Sequence, residues 1–188
     1  SFRFLDDNIN PSYAFQELRD LLKFQNIQDV NFKVRLNEAL NLVSPQYISN
    51  LVHERNFYDL VALALDTCFE QRIRVIAADA VIENHYEEGE IEKMIRIDLP
   101  INTCEKAGLK LLEKSRCVSD LLKIIANQII PDSVKIKADE KLRDLLGKNP
   151  ELQELTMVLE NESVNKGTQL LAESLLADKI QSELALVV

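Results

Sequence analysis

Apolar residues along the chain recur at steps of three and four, broken at short intervals by polar or capping groups, and the pattern predicts about eleven short amphipathic helices. Phe15, Leu18 and Leu22 mark the first, over about 11–25. Phe32, Leu36, Ala39, Leu40 and Val43 mark a second over about 32–43, and Tyr47, Ile48, Leu51 and Val52 a third. The cleanest stripe is Phe57, Leu60, Val61, Ala64, Leu65, Cys68 and Phe69. Ile73, Ile76, Ala77 and Ala80 follow, then a short segment with Ile91, Met94 and Ile95. Further stripes run through Leu111 and Leu112; Val118, Leu121, Leu122 and Ile125; Val134, Ala138, Leu142 and Leu145; and Leu152, Leu155, Val158 and Leu159. A last helix over about 168–187 carries Leu176, Ile180 and Leu184. The most strand-like run, residues 95–99, reads as an irregular connection.

Between the stripes the punctuation is that of helix ends. Asn10-Pro11, Ser44-Pro45 and Asn149-Pro150 each set a capping side chain before a proline suited to the first helical position. Residues 102–105 read as a capping-box variant, with Glu105 reaching back, and Gly147 as a left-handed stop. Short links make consecutive helices antiparallel neighbours. The expected fold is all-α: one helical domain over 11–188, behind an N-terminal extension at 1–10. Its helix pairs stack into a short solenoid; a compact helical bundle is the alternative. The start at Ser1 and the apolar end at Val187-Val188 suggest a piece of a longer protein.

Four segments share a phrase in which a cation precedes a small alanine and large apolar residues follow: 34–40, 72–80, 104–112 and 134–142. Their alanines, Ala39, Ala78, Ala107 and Ala138, are separated by 39, 29 and 31 residues, the mark of degenerate helical repeats. Arg72-Ile73-Arg74-Val75-Ile76-Ala77-Ala78-Asp79-Ala80-Val81 resembles the inner helix of HEAT and armadillo repeats, and residues 135–142 resemble a second, weaker copy. Three to five such units would cover residues 28–160. The chain departs from the family in its irregular period and in lacking most of the punctuating glycines and prolines. The resemblance implies a right-handed superhelix whose inner helices line a concave protein-binding surface, and it carries over no individual binding residue.

The net charge of −9 argues against nucleic acid or an anionic membrane as the partner of the whole surface, since both require excess cations. Charge is unevenly placed. Residues 1–100 hold 10 basic and 17 acidic side chains, residues 101–150 hold 10 and 7, and residues 151–188 hold 2 and 7. In the basic middle, Lys106, Lys110 and Lys114 stand four apart on one helix face, and Lys137 and Lys141 repeat the step. Side by side, the two rows would suit an acidic peptide; otherwise they are a solvated face. Arg35, Arg74, Lys106, Lys110, Lys137 and Lys141 are the candidate partner contacts. Leu176, Ile180 and Leu184 belong to a final helix apolar on more than one face, which expects a neighbouring repeat, a second copy or another protein.

Chemistry is poorly provided for. His53 and His85 are the only histidines, so no multi-histidine metal site exists, and His85 among Glu83, Glu87, Glu88 and Glu90 reads as a solvated turn. The acidic run 83–92 is either solvated or a dock for a basic partner. Cys68, Cys104 and Cys117 have no paired spacing and read as free, mostly buried thiols in a reducing compartment, hence an intracellular protein of cytoplasm or nucleus. Cys117, beside Lys114 and Arg116, is the best-placed nucleophile, yet it starts a helix stripe and reads as a buried structural thiol. No glycine-rich phosphate cradle and no membrane-length apolar run is present. No enzyme, cofactor or metal is expected. The expected function is a scaffold that binds a protein partner on the inner face of the solenoid. The alternative is a structural segment or oligomerisation domain of a large assembly subunit.

Overall fold

The Asn10 side chain accepts the Ser12 N–H at 2.9 Å, so the chain enters its first helix at Pro11, where a missing N–H costs nothing. The computed structural model describes residues 10–23, 29–84 and 87–185, with side chains to residue 182. Among them the protein forms ten helices and no strand: α1 (Pro11–Lys23), α2 (Val30–His53), α3 (Phe57–Leu65), α4 (Gln71–Asn84), α5 (Glu88–Glu92), α6 (Ile101–Lys114), α7 (Val118–Ala126), α8 (Asp132–Leu146), α9 (Leu152–Glu160) and α10 (Lys166–Ala185). Residues 95–99 are irregular, as the sequence suggests.

The helices group into two compact units. The first holds the chain to Met94 together with Asp98–Thr103; the second holds Ile95–Ile97 and Cys104–Val188. In the first, α1 lies antiparallel to the second half of α2: Asn50 donates to the Ser12 hydroxyl at 3.2 Å, and Phe15 stacks on Tyr47 with ring centroids 4.2 Å apart. Phe69 covers Phe15 on a further side at 5.6 Å. Stacked aromatic pairs add about 0.5–1.5 kcal/mol each beyond the area they bury. α3 and α4 form the next hairpin, and α4 also packs on α2.

Helix ends depart from the sequence reading in five places, one of them α3, which stops at Leu65 short of Cys68 and Phe69. Ser44-Pro45 opens no new helix; α2 runs through Pro45 as one element, so the second and third predicted helices are a single one. Proline in a helix interior costs about 3 kcal/mol. Leu36 and Leu40 on one side and Tyr47, Ile48 and Leu51 on the other are all buried, and their packing overrides it. α6 starts at Ile101, with the Pro100 carbonyl accepting the Thr103 N–H, so residues 102–105 are helix and form no capping box. Gly147 is right-handed at φ −68, and the left-handed residue is Asn149 at φ 62, two positions on. Asparagine tolerates that region, and the turn displaces the start of α9 to Leu152, where the Glu151 N–H donates to the Glu154 carboxylate. Arg55, also left-handed at φ 56, ends α2 in a Schellman turn, with the Asn56 N–H on the Leu51 carbonyl and the Arg55 N–H on that of Val52.

In the second unit α7 packs on α8 and α9 on α10 as hairpins, while α7 also touches α9. α6 and α8 run side by side in the same direction. The Ser133 hydroxyl donates to Glu105 at 2.8 Å near their starts, and Lys141 donates to the Leu112 carbonyl at 2.7 Å near the end of α6. Between these ties Gly108 lets the helices close up. A Cβ there would stand 3.2 Å from Val134 Cγ1 and 3.3 Å from Ile130 Cγ2. α8 and α10 are likewise parallel, tied by Thr168 to Asp139 at 2.9 Å and by Lys179 to Asn149 at 2.9 Å. The alanines Ala78, Ala107 and Ala138 of the shared phrase are fully buried, and Ala39 is half-buried.

Candidate functional site

The basic candidates divide into two kinds. Arg74 is 5% exposed: its Nε donates to the Ala64 carbonyl at 3.1 Å and its Nη2 to Asp98 at 2.6 Å. It caps the end of α3 and anchors the turn before α6, which is an internal role and not a partner contact. Lys141, half-buried, spends its ammonium on the last turn of α6, where the helix dipole favours a cation. Lys110 is half-buried and faces Glu113 at 3.8 Å. Arg35, Lys106 and Lys137 are exposed. Lys137 sits one turn beyond Ser133 and one turn before Lys141, on the stripe of α8 that borders α6.

A polar cluster that sequence reasoning missed sits where α8 meets α10. The Asp139 carboxylate, 9% exposed, accepts the Thr168 hydroxyl and lies 3.1 Å from Arg143 Nη2. Arg143 Nε donates to Thr168 Oγ1 at 2.6 Å and Nη2 to Asn165 at 3.3 Å. Asp139, Arg143 and Asn165 border a cleft of about 470 Å³ with Ile125, Ile136 and Glu140. One carboxylate oxygen of Asp139 is buried with no hydrogen bond. The signal was in the sequence as Asp139 and Arg143 at i,i+4, but Thr168 lies 29 residues on, and only the packing joins them. A second cleft, of about 530 Å³, opens beside α3 and α5 over Val61, Ala62 and Leu65, under the exposed Tyr58. Its Lys93 is held by both oxygens of Glu90 at 2.8 and 2.9 Å, so the rim charges neutralise one another.

The thiols correct the sequence reading. Cys104 alone is buried, with its Sγ on the Arg96 carbonyl; Cys68 and Cys117 are exposed. Both exposed thiols sit on chain outside the buried stripes: Cys68 follows α3, and Cys117 is the N-cap of α7. The Asp66 carboxylate, by hydrogen bond and by charge, pushes the Cys68 thiol up. A thiol pushed up in this way holds less thiolate, which counts against Cys68 as a nucleophile. The Cys117 side chain, with the Arg116 and Cys117 N–H groups, holds the Asp120 carboxyl below its usual range against the burial that opposes it, and the Cys117 thiol lies 3.1 Å from the Ser119 hydroxyl.

Among the described residues no group of three or more His, Cys, Asp and Glu side chains converges as metal ligands, and His85 lies outside them. No helix among them is long and apolar enough to cross a membrane. On α10, Leu176 is half-buried and Ile180 exposed, with Leu170 and Leu171 exposed nearby; the Leu184 side chain lies outside the described residues. The chain matches no family model, no curated protein and no solved structure.

Proposed function

We propose that the chain is a non-catalytic interaction module, a short right-handed α-solenoid that binds an acidic segment of a protein partner along its inner helices. The reading is supported by the second-neighbour adjacency in the second unit: α6, α8 and α10 lie parallel in one row while α7 touches α9 in the other. Helix pairs that contact only their neighbours in this way build the extended surfaces of helical-repeat proteins. The single observation that carries the binding face is that Lys106 and Lys137 stand exposed on adjacent members of the first row. Such exposed cations supply orientation and on-rate more than affinity.

The test is anisotropy of a labelled glutamate-rich peptide titrated with the chain at low and high salt. Reversing Lys106→Glu together with Lys137→Glu should weaken binding by about tenfold or more at low salt, with the melting temperature unchanged. Affinity indifferent to both salt and the double reversal overturns the reading.

A further inference from the structure

We draw no further inference here: the strongest candidate, the cleft of about 470 Å³ between α8 and the turn ahead of α10 where one oxygen of Asp139 is buried without a hydrogen bond, has its cations Lys135 and Arg143 already paired with Asp132 and Asp139, and nothing in the structure shows what would fill it.

Discussion

The two units solve the same packing problem by different means. In the first, Phe15 is clasped between Tyr47 and Phe69, and a buried arginine, Arg74, stitches α3 to the turn at Asp98. In the second, no such aromatic clasp exists among the described residues; small residues let parallel helices approach, and each junction closes with an acid–hydroxyl and a lysine–oxygen bond. One anchor that cannot be repeated makes a closed cluster. A junction that reuses the same kinds of group from one helix to the next makes a row that can be extended.

That contrast is sharpened most by removing the anchor. Phe15→Ala should cost about 3–5 kcal/mol, seen as a loss of stability in urea and of the near-ultraviolet signal from Tyr47. A loss under about 1 kcal/mol would show that the clasp is not what holds the first unit. Arg74→Ala should be next at about 2–3 kcal/mol, because it strands the Ala64 carbonyl and removes the ion pair to Asp98, which is partly solvated. In the second unit Thr168→Val should cost about 1–2 kcal/mol, since it deprives the buried Asp139 of its hydroxyl while keeping the shape. Asp139→Asn should then add little to Thr168→Val in a double-mutant cycle, and full additivity would refute a coupled junction.

The smallest effect is electrostatic. Burial pushes the Asp66 carboxyl up, but the Cys68 backbone and the Lys23 ammonium at 3.1 Å outweigh it, and the net shift is downward. A carboxyl held below its ordinary value of 3.8 stabilises the fold fully above that pH, and its contribution is lost as pH falls through the lower folded value. Asp66→Asn should therefore lower the melting temperature at pH 7, within the roughly 0.2–1 kcal/mol of an exposed ion pair, and leave it unchanged near pH 2. A difference that persists in acid would assign the effect to packing.

Helices and core were legible because Leu18, Leu36, Leu60, Ile73, Leu121, Leu142 and Leu155 fall on the stripes and are buried. Ends were legible only where a local cap decides them, as at Asn10. Ser44-Pro45 failed because the burial on both sides outweighs a local penalty, and Asn149-Pro150 failed because a left-handed residue needs two further positions to turn the chain. The basic rows were half-legible. Helical spacing groups Lys137 with Lys141, but whether an ammonium meets water or the Leu112 carbonyl depends on a helix 29 residues away. Arg74 was misjudged for the same reason: a cation beside small residues looks identical in sequence whether it faces a partner or the back of its own hairpin.

Pro45 gives α2 a property of time as well as shape. Its nitrogen carries no proton, so the Asn41 carbonyl lacks the rung that would cross the middle of a 24-residue helix, and the neighbouring Ser44 hydroxyl is buried without a partner. The first half of α2 is tied through Asn41 to Glu70, just before α4, and the second half faces α1 through Tyr47 and Asn50. The two halves of α2 therefore rest on different neighbours across a missing rung at residue 45. Amide protons on either side should exchange with deuterium at rates set by different neighbours, so that one continuous helix breathes as two.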